Sequence, residues 1–523
     1  MKKFIRIKLI IFLFCAMGCG DWVDVEPENA VTFANYFKTE QDAQAVLYNM
    51  HYQLRTLANT YSYYGELVSD RSLSNASSIM MCEWSYPYAV LDAADLILDN
   101  LYRFPLSDDV LRPYELQAYF AKGIAYFNLA SNWGDAPIIN NRLDYEKVGR
   151  SSARYVLAEA EKWALKAMDL PKYEDLEIGN VNIRKQYASK GAAATLLAKI
   201  YAWQASVFGE TSCWAKAEAY CDTVIDGHAG NYALASDPDA VCENVLKGES
   251  DEGIWELYVN QANGEGAFRY FTWMTREFSD LVAGFPVVIT SSPNASKTYF
   301  TPKDTILKYY DAADKRRDAY FYAVNSDSVF VKNVNGESVA DTIREGGEVL
   351  HAYDNTKIAN VFIRKFRHMY YTRDNTSVGW NFNAVDGNTI LFRLADVILL
   401  RAECRARQGN RNGAIADLNT IRRRAYGDEN HGFPNEDDVL KGLDQNLQFA
   451  IYREREKELY LEGHRFLDAR RMGNDYVRRL HPVWSIMTDS DIADGGFYFA
   501  IMGLSYVNND LLEQNVYWKR KMQ

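Results

Sequence analysis

The chain has 523 residues, of which 48% are hydrophobic and 24% charged, and its formal net charge is −12 at pH 7. This acidic balance disfavours a nucleic-acid partner, because binding to DNA or RNA depends on basic residues that neutralise phosphates. Aromatic residues are abundant, with 36 tyrosines, 25 phenylalanines and 11 tryptophans. They suit both the packing of helices and stacking on sugar rings, and composition alone does not separate these two uses.

The N-terminus has the three parts of an export signal. Four basic residues precede an apolar run from Leu9 to Met17, which is followed by Gly18 and Cys19. This run is shorter than the roughly 20 residues of a membrane-spanning helix, so we predict a cleaved signal peptide over residues 1–18. The segment before Cys19 resembles a bacterial lipobox, which predicts a lipid anchor on that cysteine. The alternative is ordinary cleavage without lipid. Loss of the signal would leave a formal charge near −16.

Amphipathic helices are predicted along most of the mature chain. In the clearest one, Glu115 to Trp133, apolar residues recur at steps of three and four, and the pattern stops at a Gly-Asp-Ala-Pro sequence. Several helices come as pairs with small residues, such as Ala402 and Ala414, at matching positions, as in tetratricopeptide repeats. Generic antiparallel pairing is the alternative. The other predicted helices are Thr39–Ala58, Tyr86–Tyr102, Ala153–Met168, Tyr187–Phe208, Trp214–Ile225, Ile390–Arg407, Asn412–Ala425 and Leu447–Glu462.

The pattern changes between Gly227 and Asn388, where short polar and aromatic runs are broken by Gly, Asn, Asp and Pro. Strand-like pieces occur at Gly253–Asn260 and Val361–Phe366. We therefore predict a mainly α fold with a long loop-rich insertion and a few short strands. The mature chain is predicted to be a single domain, residues 19–523. Its parts are an N-terminal helical half (19–226), the insertion (227–389) and a C-terminal part (390–523).

The cysteines of the mature chain do not have the spacing of a disulfide framework or of a zinc or redox motif. Cys213 and Cys221 lie eight residues apart in a helical pattern, about 12 Å along the axis at ~1.5 Å per residue. That distance is beyond the reach of a disulfide. We predict buried thiols at Cys82, Cys213, Cys221, Cys242 and Cys404.

No motif for catalysis, a cofactor or a metal is present in the sequence. Phosphate-binding loops, dinucleotide motifs, the serine-hydrolase elbow and the HExxH zinc motif are all missing. The turn with Asp489, Asp491 and Asp494 has the wrong spacing for a calcium loop and predicts a solvated acidic turn. The run Arg453 to Glu458 has opposite charges at neighbouring positions, which predicts a solvated, ion-paired helix face. A pair of facing carboxylates, as in glycosidases, is not excluded by the sequence.

Several motifs, in order along nearly the whole mature chain, resemble the SusD/RagB family. The C-terminal motifs are Arg393–Glu403 (RLADVILLRAE), Ala414–Arg424 (AIADLNTIRRR) and Leu459–Gly473 (LYLEGHRFLDARRMG). The N-terminal motifs are Val25-Glu26-Pro27, Phe37-Lys38-Thr39 with Asp42-Ala43, Phe120-Ala121-Lys122-Gly123 and Asn132–Ile138 (NWGDAPI). The chain departs from the family pattern at two places near its end. Gln514-Asn515-Val516-Tyr517 lacks the usual glycine, and Phe499-Ala500-Ile501 replaces a proline-rich turn.

The resemblance implies a SusD-like fold and a lipid-anchored protein on the outer face of the outer membrane. Such a protein would bind a nutrient glycan, as oligosaccharide or polysaccharide, and pass it to a SusC-like TonB-dependent transporter without catalysis or a cofactor. A peptide or glycopeptide binder in the same kind of complex, and a surface glycoside hydrolase, are the alternative functions.

The resemblance also implies that ligand groups come from the loop after the first helix and from the insertion. A binding site in these loops would use aromatic faces for stacking and polar side chains for hydrogen bonds to sugar hydroxyls. Core packing of each aromatic ring is the alternative, and Asp70 with Arg71 could equally form an ion pair in a turn. The ligand-binding candidates are Asp70, Arg71, Trp84 and Tyr86 in the loop, and Tyr270, Trp273 and Trp380 in the insertion.

Overall fold

The computed structural model of the chain describes most of the helical parts and several pieces of the insertion. The described residues are 36–66, 83–140, 147–178, 181–258, 303–322, 324, 328–331, 351–354, 362–373, 380–385, 387–480, 482–501, 503–506 and 509–521.

Helices dominate the described residues. Those of eight or more residues are α1 (Glu40–Glu66), α2 (Ser85–Leu98), α3 (Asp108–Asn132), α4 (Ala153–Lys166), α5 (Lys190–Val207), α6 (Cys213–Ile225), α7 (Leu394–Arg407), α8 (Arg411–Tyr426), α9 (Leu447–Glu458) and α10 (Arg465–Met472). Consecutive helices pack as pairs, α1 with α2, α3 with α4, α5 with α6, and α7 with α8. This arrangement confirms the predicted mainly α fold of tetratricopeptide-like helix pairs.

The remaining described helices are short. They are Pro238–Ala240, the π-helix Val241–Val245, Lys303–Tyr309, Arg316–Tyr320, Glu436–Leu440, Asn474–Leu480, Pro482–Ser485, Asp489–Ala493 and Val516–Lys521, with 3-10 turns at Leu101–Arg103, Ala167–Asp169, Tyr173–Asp175, Val181–Gln186 and Gly503–Tyr506.

Helix α5 lies at the centre of the packed helices. Every residue from Gly191 to Ala205 is buried, as expected for a helix that is mostly apolar or small around its circumference. The buried Lys199 pairs with Asp396. Helices α3, α4 and α5 meet at Gly123, where an added Cβ would lie 3.2 Å from both Ala164 N and Leu196 Cδ2. A glycine at this position therefore allows the three helices to approach closely.

The described strands all belong to two-stranded antiparallel pairs. They are β1 (Gly253–Leu257), β2 (Phe321–Tyr322), β3 (Ser328–Val331), β4 (His351–Asp354), β5 (Phe362–Ile363), β6 (Met369–Arg373), β7 (Trp380–Val385) and β8 (Thr389–Arg393). β1 pairs with β8, β2 with β5, β3 with β4, and β6 with β7. Gly253 lies opposite Arg393 and Leu257 opposite Thr389, so the first and last strands of the insertion close its base.

The prediction that a helix begins at Ile390 was wrong, because residues 389–393 form β8 and α7 begins only at Leu394. Ile390, Leu391 and Phe392 are buried against β1 and neighbouring helices. A continuous apolar run fits a buried strand as well as a helix. Here the pairing with β1 shows that the run is a strand. The predicted helix from Tyr86 to Tyr102 also stops early, at Leu98. The helix predicted at Thr39–Ala58 continues to Glu66, and the one predicted from Glu115 already begins at Asp108. The other predicted helices are confirmed within four residues at each end.

The prediction of a solvated charged face at Arg453–Glu458 was wrong. Glu454, Arg455, Lys457 and Glu458 are all buried in α9. Their partners lie outside this run. Glu454 pairs with Arg316 and Arg422, and Arg455 pairs with Asp396 and Asp468. The alternation of charges along the helix therefore did not reveal that these side chains are buried.

Arg393 is the centre of this buried ionic network. Its guanidinium lies 2.7 Å from Glu252, 2.9 Å from Glu458 and 2.7 Å from Glu462. Arg424 contacts the first two of these carboxylates as well. Burial alone would raise the pKa of Glu458, but the nearby arginines outweigh it and hold the pKa below its ordinary value. The network joins the start of the insertion, its end, and the helices of the C-terminal part.

The thiols of Cys213, Cys221, Cys242 and Cys404 are buried, as predicted, and they are unbonded in this structure. Cys19 and Cys82 lie outside the described residues. In the acidic turn, Asp491 and Asp494 pair with Arg520, and Asp489 pairs with Arg478. Among the described residues, no group of three or more His, Cys, Asp or Glu side chains has a metal-binding arrangement. No helix in this part of the chain is long and apolar enough to cross a membrane.

The substitution Glu458→Gln tests the energetic role of the network. It removes one carboxylate from Arg393 and Arg424, so that their buried positive charge is only partly compensated by Glu252 and Glu462. The free energy of unfolding in urea at pH 7 is expected to fall by about 3 to 5 kcal/mol. Glu513→Gln is the matched control, because Glu513 pairs with Lys519 at the surface, and no measurable change is expected there. Equal effects of the two substitutions would contradict the assigned role.

The same network predicts acid sensitivity. Burial would raise the pKa of Glu454, but Arg316 and Arg422 lower it from 4.5 to about 2, and the pKa of Asp468 is likewise lowered to about 2. Carboxylates whose pKa is lower in the folded state stabilise it above their unfolded pKa, and the contribution disappears as pH falls. Through these carboxylates, the urea midpoint is expected to drop steeply between about pH 4.5 and pH 2. In Glu454→Gln, already less stable at pH 7, the drop should be shallower; an unchanged slope would contradict this cause.

Candidate functional site

A cleft of about 210 Å³ lies between the start of α2, the extended chain after α3 and the C-terminal tail. Another cavity has a volume of about 10 Å³ and is lined only by apolar core side chains such as Leu54 and Trp255. The residues that line the larger cleft are Trp84, Tyr88, Pro137, Ile139, Val148, Asn509 and Leu512.

Trp84 and Tyr88 form the aromatic wall of the cleft. Trp84 directly precedes α2 and Tyr88 follows one helical turn later, which places both side chains on one face. Their rings meet edge to face, with centroids 5.8 Å apart. Trp84 Nε1 donates a hydrogen bond to Ser505 Oγ at 2.8 Å, and the Tyr88 hydroxyl donates to Pro137 O at 2.7 Å. Because the protein already satisfies both polar atoms, these rings offer the cleft mainly apolar surface.

The opposite wall comes from the C-terminal tail and the segment that begins at residue 147. Asn509 connects the two, because its Nδ2 donates to Val148 O at 2.9 Å and its Oδ1 accepts from Leu511 N at 3.2 Å. Lys147 and Asp510 form an exposed ion pair of 3.0 Å next to this contact. The wall is therefore held by side-chain bonds between segments that are more than 350 residues apart.

The two departures from the family pattern contact each other in this tail. Gln514 Oε1 accepts from Ile501 N at 3.1 Å, and its Nε2 donates to Ile501 O at 2.9 Å. Phe499 N donates to Asn132 O at the end of α3, and its ring packs on Trp133. The side chain of Gln514 thus satisfies the backbone of Ile501, and the tail packs firmly on the N-terminal half.

No charged side chain is found among the described lining residues. Burial raises the pKa of Tyr88 well above its ordinary value, with Tyr126 adding to the shift, so the Tyr88 hydroxyl stays protonated. A surface of this kind favours an uncharged ligand with apolar faces, such as a sugar ring. It holds no general acid or base among the residues described.

The cleft is smaller than the about 300 to 1,000 Å³ of typical small-molecule sites. Three chain segments that adjoin its lining residues in sequence, 67–82, 141–146 and 507–508, lie outside the described residues.

Of the predicted ligand-binding residues, Trp84 lines this cleft and is 6% exposed. Tyr86 is half-buried and is not among the lining residues, and burial and Glu83 raise its pKa. Trp380 begins β7, where its backbone pairs with Arg373 of β6. The other candidates, which lie outside the described residues, are Asp70, Arg71, Tyr270 and Trp273. The assignment of these residues to a ligand site stays a prediction.

Sequence reasoning did not identify Tyr88, Pro137, Ile139, Val148, Asn509 or Leu512 as possible site residues. The spacing of four residues between Trp84 and Tyr88 could have indicated Tyr88, because such positions share a helix face. Nothing in the sequence relates Val148 to Asn509, since only the tertiary fold brings them together.

Comparison with known proteins agrees with this fold. Residues 243–521 match the family model described as the SusD family, and residues 21–202 match a model described as starch-binding associating with outer membrane. A SusD-like protein of Formosa agariphila is 23% identical over 89% of both chains.

Solved structures of similar proteins cover most of the chain. A SusD homologue from Bacteroides thetaiotaomicron has a TM-score of 0.68 at 20% identity, covering 92% of this chain and 98% of its own. Surface glycan-binding protein A from Bacteroides uniformis has a TM-score of 0.63 at 18% identity, covering 92% of this chain and 100% of its own. At these identities the similarity establishes the shared fold.

Proposed function

Because this chain belongs to the SusD family, we propose that it binds a nutrient glycan at the cell surface and passes it on without cleaving it. The receiving partner would be a SusC-like TonB-dependent transporter in the outer membrane. One observation carries the proposal, namely the cleft with the aromatic wall of Trp84 and Tyr88 and no charged lining among the described residues. Aromatic rings present flat apolar faces on which the C–H faces of sugars stack.

The comparisons with known proteins also support the proposal of glycan binding. The family model that matches the N-terminal half is described as starch-binding and as associating with the outer membrane. One structural neighbour carries the name of a surface glycan-binding protein. In this proposal Trp84 and the predicted residues Asp70, Arg71, Tyr86, Tyr270, Trp273 and Trp380 contribute to one glycan site.

The mature chain, residues 19–523, would act as a single domain. The pairing of β1 with β8 and the ion pairs of Arg393 support this view, because they connect the base of the insertion to the helices that follow it. An insertion tied in this way would move with the helical frame and hold its loops at a constant position relative to the cleft.

Glycan binding is tested first by electrophoresis of the purified mature protein in gels that contain single polysaccharides. Wild type is expected to be retarded by at least one neutral glycan without release of reducing sugar. Trp84→Ala should weaken binding by about 1 to 3 kcal/mol, since it removes the largest aromatic face of the wall. Ile139→Trp, at a half-buried position, should block the cleft with less disturbance of the core.

Tyr102→Ala is the matched control for these variants, because Tyr102 is 85% exposed and lies outside the cleft. It should leave retardation unchanged. Unchanged affinity of both cleft variants, with normal unfolding curves, would remove this cleft from the binding site. Release of reducing sugar would contradict the non-catalytic role, and binding only to peptides would replace the glycan as ligand.

The lipid anchor and the transporter are tested in cells. Wild type is expected to incorporate labelled fatty acid, to reach the outer membrane and to co-purify with a TonB-dependent transporter in mild detergent. Cys19→Ala should lose the label, because that thiol is the predicted acylation site. Cys82→Ala is the control and should keep it. A labelled Cys19→Ala variant would contradict the anchor, and a wild-type protein that purifies alone would contradict the partnership.

A further inference from the structure

Two buried cysteines face each other across the boundary between the N-terminal half and the C-terminal part. Cys221 lies on α6 and Cys404 on α7, and both side chains are completely buried. Helices α6 and α7 pack directly against each other. The two positions are 183 residues apart in sequence, so no spacing rule relates them.

Ion pairs at the same level of α6 and α7 fix this alignment independently. Arg401 lies 2.8 Å from Asp222, and Arg405 lies 2.9 Å from Glu218 and 3.4 Å from Asp222. Asp222 directly follows Cys221, and Arg405 directly follows Cys404. Charged neighbours on the rim of the contact therefore hold the two thiols opposite each other inside it.

Small side chains beside the cysteines also favour a close approach of the two helices. A disulfide needs Cα atoms about 4.4 to 6.8 Å apart, which packed helices reach only where small residues meet. Ala217, one turn before Cys221, and Ala402, two residues before Cys404, are both fully buried. A small buried side chain therefore lies near each cysteine on its helix.

We propose that Cys221 and Cys404 form a disulfide when the exported chain folds, and that this bond connects the two helical parts across the base of the insertion. The structure holds the pair in its dithiol form. Export places the chain in a compartment where disulfides form and persist. The bond depends on export and does not depend on which ligand the protein binds.

The reaction is a thiol–disulfide exchange with an exported disulfide donor. One cysteine thiolate attacks the donor disulfide, a mixed disulfide forms, and the donor leaves as a thiolate that takes up a proton. The second cysteine then displaces the remaining donor sulfur. The pair loses two protons and two electrons, and the donor becomes a dithiol.

The burial of the two thiols determines when the disulfide forms. Burial raises the pKa of Cys404, and the contact with Cys221 adds to the shift, so thiolate is scarce once the core has closed. Oxidation therefore takes place while the chain folds after export. The finished bond would be shielded from reductants by the same packing, and a chain cut within the insertion would remain covalently joined.

The test uses the full chain, exported with its own signal and purified from membranes. After denaturation without reductant and alkylation, mass spectrometry is expected to find the peptides of Cys221 and Cys404 joined, with Cys213 and Cys242 alkylated. Cys221→Ala should expose Cys404 to alkylation, and Cys404→Ala should expose Cys221. The matched controls Cys213→Ala and Cys242→Ala, which also remove buried thiols, should retain the bond. Alkylation of both Cys221 and Cys404 in the wild type, or pairing of either with Cys82, would overturn the proposal.

A protease site inserted within residues 332–350 gives a second readout. After cleavage, the exported protein should run as one species without reductant and as two fragments with it. The chain made without its signal in a reducing cytosol should give two fragments under both conditions. Separation of the fragments of the exported protein without reductant would overturn the proposal, whatever the outcome of the glycan-binding experiments.

Discussion

The guanidinium of Arg393 carries its charge in the interior of the protein, and this imposes a constraint on everything around it. Removing such a charge from water costs several kcal/mol unless carboxylates and hydrogen bonds surround it. Glu252, Glu458 and Glu462 meet that requirement, and they come from the start of the insertion and from α9 and the turn that follows it. These parts of the chain must therefore assemble together, because any one of them alone would bury an uncompensated charge.

The constraint extends into the insertion through Arg316, which lies against Asp314 and Glu454, and through Lys365, which lies against Glu462. The described parts of the insertion also bury apolar side chains such as Trp255 and Phe321. Buried ion pairs have strict geometry. Here they fix the position of the insertion relative to the helices. The helices α3 and α5 also pack through small residues such as Gly123 and through many buried apolar side chains.

The candidate cleft forms where the N-terminal half of the chain contacts the C-terminal tail. Its aromatic wall belongs to the N-terminal half, whereas Asn509 and Leu512 belong to the last part of the chain. The amide of Gln514 on the backbone of Ile501 shows how the unusual tail sequence still packs well. The thiol pair of Cys221 and Cys404 lies on a second boundary between the same two parts, so both the proposed site and the proposed bond depend on their association.

The sequence alone was sufficient for the mainly α fold, most helix bounds and the family resemblance, because helical periodicity and the family motifs are carried by neighbouring residues. It was insufficient for β8, for the buried run of α9 and for most of the cleft. A run such as Ile390–Arg393 fits a strand or a helix equally well, and its pairing with β1 decided between them. Charges such as Glu454 and Glu458 look solvated until partners from distant segments are placed beside them. Only the tertiary structure decides such cases, since burial and charge compensation depend on distances in space that no local pattern contains.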